Sequence, residues 1–281
     1  MKTIKTISVA ALSLSLLACG GGGGGGGGGN NTNPPPSPPP PPPPPVADQA
    51  IGGIYNGRIT GGCGQCPFDV FVVISEDGDY LTQDLEFLTR ANAGKVDVTG
   101  DDFTGTRNLY GFNFGVTPFG HIPTAPSPAD NDNANRSIEG RVTERSSISA
   151  DYMHNGNHSV DMDLTYDTQY ERASSLATIA GTYSVDDGAG FTLTYVIDNT
   201  GEINGSDTTG CTVSGNVEII DAAYNMYRTD LSFAACGANG ADGAGYTGLA
   251  TLRTDPTTMA ESLYFYAATD REIVILDLPR L

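Results

Sequence analysis

The residues here best suited to directed chemistry are five cysteines and three histidines, in a chain of 281 residues. The densest polar cluster is His154-Asn155-Gly156-Asn157-His158. Asn-Gly favours a tight turn. A three-residue loop would set His154 across from His158, with Asp151 and Asp161 close by. Two imidazoles and a carboxylate suit zinc or copper. Histidines at an exposed hairpin tip are the commoner arrangement, so no metal and no cofactor is expected, and His154 and His158 stand only as candidate ligands. Acidic turns recur at Glu76-Asp77-Gly78-Asp79, Asp101-Asp102 and Asp186-Asp187-Gly188. None has the ligand spacing of a calcium loop, and they read as solvated turn carboxylates.

Cys63-Gly64-Gln65-Cys66 has the spacing of a thiol–disulfide exchange pair. Such pairs rely on a helix N-terminus to lower the thiol pKa. Here Pro67 and the apolar run Phe68 to Ile74 follow, which reads as a strand. A structural disulfide in a hairpin loop is expected, with redox exchange and metal ligation as alternatives. Cys211 and Cys236 lie symmetrically about the turn Asp221-Ala222-Ala223-Tyr224. Folding a hairpin there places them opposite each other, which predicts a second bridge. No G-x-S-x-G elbow, H-E-x-x-H helix or phosphate loop occurs, so the chain is not expected to be an enzyme. The alternative is a hydrolase built on carboxylates, drawn from 33 acidic residues.

The fifth cysteine sits in a different context. Lys2 and Lys5 precede an apolar stretch, Ile7 to Leu17, too short to span a bilayer as a helix. The segment Leu16-Leu17-Ala18-Cys19 resembles the lipobox of bacterial lipoproteins. That resemblance implies a signal peptide over 1–18, cleavage before Cys19, and acylation of Cys19 with fatty acyl chains such as palmitate. Gly20 follows in place of an aspartate, which in the Gram-negative family implies delivery to the outer membrane. Several acyl chains, each CH₂ adding about 0.8 kcal/mol of membrane affinity, make such an anchor permanent. Ten glycines, Gly20 to Gly29, and eleven prolines between Pro34 and Pro45 then form a disordered tether over 19–45.

The net charge is −19 and the only lysine after residue 18 is Lys95. Such a chain repels phosphate backbones, and no nucleic-acid partner is expected. The expected partners are the membrane, through the lipid, and an unidentified protein or small molecule.

After Val46 the texture is all-β. Short runs of Val, Ile, Thr, Tyr and Phe alternate with Gly, Asn and Asp turns. A self-comparison indicates duplication. Ile51-Gly52-Gly53-Ile54-Tyr55 matches Ile179-Ala180-Gly181-Thr182-Tyr183. Further on, Gly78 matches Gly201, Gly94 and Val96 match Gly215 and Val217, and Gly140 matches Gly248. Two tandem antiparallel modules follow, 46–175 and 176–281. Each is expected as an up-and-down β-barrel, with a β-sandwich as the alternative. A proline-rich insertion, Thr117 to Ser137, reads as a surface loop of the first module.

A glycine-rich stretch after the lipid cysteine and repeated barrel lobes are also the layout of the transferrin-binding surface lipoproteins. The resemblance is architectural, carries no binding residue across, and raises a binding role slightly. The functional expectation is an outer-membrane lipoprotein, facing the periplasm or the cell surface, with a non-catalytic binding or structural role. A lipocalin-like carrier of a small apolar ligand is a further alternative.

Overall fold

The computed structural model describes residues 47–61, 66–86, 90–111, 135–236, 242–270 and 272–281. The expected signal peptide, Cys19, the tether, Cys63 and most of the Thr117 to Ser137 loop lie outside the described residues. Among the described residues, no helix is long and apolar enough to cross a membrane.

The first sheet comprises β1 (Gly53–Thr60), β2 (Phe68–Ile74), β3 (Asp79–Asp84), β4 (Arg90–Thr99), β5 (Asp102–Thr106), β6 (Asn108–Gly111), β7 (Arg136–Thr143), β8 (Ser147–His154) and β9 (Asn157–Asp167). All pairings are antiparallel, and β9 returns to β1 with Ile59 opposite Met162, closing the barrel. Strands β5 and β6 hold one register along β4: Val96 faces Gly105 and Ala93 faces Asn108. They act as one strand interrupted near Arg107.

The second sheet is a meander of β10 (Gly181–Asp186), β11 (Thr192–Ile197), β12 (Glu202–Asp207), β13 (Thr212–Ile219), β14 (Tyr227–Ala234), β15 (Gly243–Thr254), β16 (Glu261–Ala268) and β17 (Ile273–Pro279). It nearly closes. Tyr183 bridges to Arg280, and the Leu281 amide donates to the Thr182 carbonyl at 2.9 Å. The fold is therefore two antiparallel barrels in tandem, and each sheet curls on itself instead of stacking as a sandwich.

Period-two alternation explains the individual strands. In β14, Tyr227, Thr229, Leu231 and Phe233 are buried and the residues between them are more exposed. In β2 and β16 the alternation disappears, and most of each strand is buried. The reason is that both faces are covered. Val70, Val72 and Ile74 fill the first barrel, while Phe71 and Val73 turn outward. Leu263, Phe265 and Ala267 fill the second, while Tyr264 and Tyr266 turn outward. The outward residues of both barrels join one further apolar cluster that cements the barrels together.

Phe71 and Tyr264 meet edge to face there, with ring centroids 4.7 Å apart. The Tyr264 hydroxyl donates to Gln83 Oε1 at 2.7 Å, and the Tyr110 hydroxyl donates to the Thr269 carbonyl at 2.8 Å. The loop between β13 and β14 supplies Met226, fully buried, and Tyr224, stacked on Tyr170. Asn225 in the same loop is buried yet well satisfied. Its amide donates to the Leu252 carbonyl at 2.6 Å, and its side-chain oxygen accepts from the Leu252 N–H at 3.1 Å.

The aligned positions of the two modules carry the same local devices. Gly78 and Gly201 both adopt positive φ, +85° and +90°. Each carbonyl accepts an amide across the sheet, from Val96 at 2.9 Å and from Val217 at 2.8 Å. A side chain at either glycine would strike the Val96 or Val217 carbonyl oxygen.

Cys211 and Cys236 are bridged. The hairpin register pairs Thr212 with Ala234, which would set Cys211 against Ala235. Ala235 takes a left-handed φ of 60°, and this extra residue swings Cys236 into place. Cys66 is also disulfide-bonded.

Candidate functional site

The interior of the second barrel is a continuous apolar cluster running from Ile179 to Leu278. The first barrel is filled in the same way only over part of its length. Tyr55, Ile74, Tyr80, Val96, Phe103, Val142, Ile148 and Leu164 pack one end. Towards the end that carries the β8–β9 turn, the inward positions become polar and enclose a cavity of about 330 Å³.

Each polar side chain reaches the cavity by strand parity. Thr82 and Asp84 continue the inward series begun by Tyr80 on β3. Asn92 stands opposite Thr82 on the neighbouring strand β4. Arg107 enters from the interruption between β5 and β6, Arg136 from the start of β7, Tyr152 from β8 and Arg90 from the start of β4. Apolar walls come from Ile59, Phe68, Val70 and Val160. Arg107 is only 4% exposed, and its guanidinium lies over the Tyr152 ring, 4.3 Å from the centroid. Burial pushes the Tyr152 hydroxyl up from its ordinary pKa, so it stays a neutral donor, although Thr82 and Arg107 act in the opposite direction. Asp84 is the one carboxylate among the described lining residues. It accepts the Glu86 amide at 2.9 Å.

Sequence reasoning did not single out these residues. The signal available was a polar side chain at an inward position of an alternating strand, as at Thr82 and Asp84 after Tyr80. Nothing local tells which inward positions from distant strands meet.

The histidine expectation is corrected. Asn155 and Gly156, both at positive φ (53° and 71°), form a two-residue turn, so His154 pairs with Asn157. A bulge at Tyr152/Met153 shifts the register beyond it. The two histidines therefore do not converge. His154 stands opposite Arg136 on β7. The His158 Nε2 lies 2.8 Å from Asp161 and 3.5 Å from Asp151. These three residues offer ligand atoms within 4.8 Å of one another: one imidazole and two carboxylates in place of two imidazoles and one. All three are solvent-accessible, and the contacts are those of a surface polar cluster.

Two of the acidic turns hold arginines instead of being solvated alone. Asp77 and Asp79 of the first barrel hold Arg228 of the second. Asp101 and Asp102 hold Arg141 at 3.2 and 3.1 Å. Asp186 and Asp187 are turn residues, accepting the Gly188 and Ala189 amides at 2.7 Å each. A groove of about 450 Å³ between the barrels is lined by Asp79, Asp270 and Arg228. Asp79 is ion-paired there to Arg228 at 3.3 Å and to Lys95 at 3.6 Å.

Comparison with known proteins adds little to this geometry. No protein-family model matches the chain, and no curated protein matches it. Among solved structures, the chain is similar to Aeromonas veronii immune modulator A, at 12% identity and a TM-score of 0.36, over 83% of this chain and 97% of that one.

Proposed function

We propose that the protein is an exported, lipid-anchored envelope protein of the outer membrane that acts by binding, and that its ligand site is the hollow end of the first barrel. One observation carries this reading. Two antiparallel barrels sit in one chain; among the described residues an apolar cluster fills the second, while the first keeps a cavity with a polar lining. Buried polar groups cost stability unless they are hydrogen-bonded, and a polar-lined cavity of about 330 Å³ gives a small polar ligand room to supply such bonds. The polar lining suits neither an apolar cargo nor a mechanism that needs two carboxylates.

The binding reading is tested with the purified full-length protein in detergent, screened against small polar molecules by thermal unfolding and calorimetry. A ligand that raises the melting temperature, and loses that effect in Val160→Trp, supports the site. A ligand that binds wild type and Val160→Trp equally places binding elsewhere and overturns it. The anchor is tested separately by labelling cells with a palmitate analogue. Label on wild type and none on Cys19→Ser is expected, and an unlabelled wild type removes the lipid from the proposal.

A further inference from the structure

We infer that the cavity of the first barrel takes a neutral polyhydroxy ligand the size of one sugar ring. This inference rests on the reading of the cavity as a binding site and names the ligand's chemistry.

The first argument is a set of buried polar groups whose bonds are not made. Asn92, Thr82 and Tyr152 line the cavity and are 8%, 1% and 2% exposed. The Asn92 side-chain oxygen, the Thr82 hydroxyl and the Tyr152 hydroxyl have no hydrogen-bond partner among the described residues. Buried polar groups in a native protein ordinarily have one. Thr82 and Asn92 stand opposite each other on β3 and β4, and Tyr152 reaches in from β8. The Asn92 oxygen is an acceptor and calls for an N–H or O–H. The two hydroxyls can each donate and accept. Thr82 lies near enough to act on Tyr152, but a bond between them would leave one hydroxyl hydrogen and further lone pairs unused. Ligand hydroxyls meet all three groups, because each donates and accepts at one atom. A hydroxyl also fits either end of the Asn92 amide.

The second argument is charge and shape. Arg90, Arg107 and Arg136 line the cavity together with Asp84. A carboxylate or phosphate would come beside Asp84, and an ammonium beside the arginines, so an ionised ligand of either sign meets a like charge. A neutral ligand meets none, and its hydroxyls suit carboxylate and guanidinium alike. Ile59, Val70 and Val160 supply apolar wall. That wall matches the C–H faces of a ring whose hydroxyls stand at its rim. At about 330 Å³ the cavity lies at the small end of ligand pockets, about 300–1,000 Å³, and suits a single ring in place of an oligomer.

The test is calorimetric titration of the full-length protein in detergent. The probes are glucose, galactose and myo-inositol, with citrate and putrescine as charged counterparts. At least one of the three polyols is expected to bind, with an affinity that added salt leaves nearly unchanged. Asn92→Leu and Thr82→Val keep the side chain's size and remove its polar atoms. Each is expected to weaken polyol binding about tenfold. The melting temperature of the ligand-free variants is expected to hold or rise, because an unmet buried group has been removed. Melting temperatures that fall in both variants while polyol affinity stays the same would show these groups bonded within the fold, and overturn the inference. Binding of citrate, putrescine or a hydroxyl-free ligand from the wider screen, lost in Val160→Trp and with no polyol bound, would overturn the polyhydroxy ligand and leave the binding site standing. No binding of any probe, together with no hit from the wider screen, would overturn both.

Discussion

Tyr55 and Tyr183, each at the start of its own barrel, make the same bond. The Tyr55 hydroxyl donates to the Ile51 carbonyl at 2.9 Å and the Tyr183 hydroxyl donates to the Ile179 carbonyl at 2.6 Å. Each is four residues back in an Ile-x-Gly-x-Tyr stretch, and both rings are fully buried. The bond fixes how the chain enters the first strand of each barrel and gives a buried carbonyl its partner. Removing either hydroxyl leaves that carbonyl without it. Tyr55→Phe and Tyr183→Phe are each expected to cost about 1–2 kcal/mol. Urea unfolding measures this, and equal costs at the two sites would show that the two motifs do the same job.

The barrels are joined through aromatic packing, so their stabilities are coupled. Phe71 and Tyr264 are each almost wholly buried in the shared cluster. Phe71→Ala is expected to cost about 3–5 kcal/mol. The coupling between Phe71→Ala and Tyr264→Ala is expected to be about 0.5–1.5 kcal/mol in a double-mutant cycle. Calorimetry should show one unfolding transition in wild type and two in the double variant.

The Cys211–Cys236 bridge closes a hairpin over a sequence separation of 25. Replacing both cysteines by alanine is expected to cost about 3 kcal/mol, through the freedom returned to the unfolded chain. Ala235 adopts its left-handed conformation to bring Cys236 into place, so Ala235→Gly in the bridged protein should be neutral or stabilising. Guanidine unfolding of both variants checks this.

Stability should fall in acid because of the seam that closes the second barrel. Glu261 on β16 receives Arg172 and Arg280, each at 2.7 Å. Partial burial works to raise its carboxyl, but the two guanidinium groups outweigh that and hold its pKa below the usual value. A lowered folded-state pKa means the unfolded chain binds the proton first. The contribution is therefore present above the ordinary glutamate range and is lost as pH falls through the folded value. In Glu261→Gln this part of the acid limb is expected to be flat, as read from melting temperature against pH between about 3 and 6.

Much of this architecture is decided locally, and for that reason it can be read from the residues in order. Most strands of the second module follow from two-residue alternation, and β16 from an apolar run, each broken by Gly, Asn and Asp turns. The Cys211–Cys236 bridge follows from a turn midway between the cysteines. The matches Tyr55 with Tyr183 and Gly78 with Gly201 persist because each satisfies a backbone requirement within its own hairpin. What only the tertiary structure decided depends on how separate strands register. Phe71 and Tyr264 look like any apolar strand residues until two barrel exteriors meet. One bulge at Tyr152/Met153, together with a two-residue turn, separates His154 from His158. Arg107, Asn92 and Arg136 come from strands separated in the chain, and barrel closure alone brings their inward faces around one cavity. Parity along a strand is a property of neighbouring residues. The registry between strands is a property of the closed sheet, and the candidate site belongs to the second.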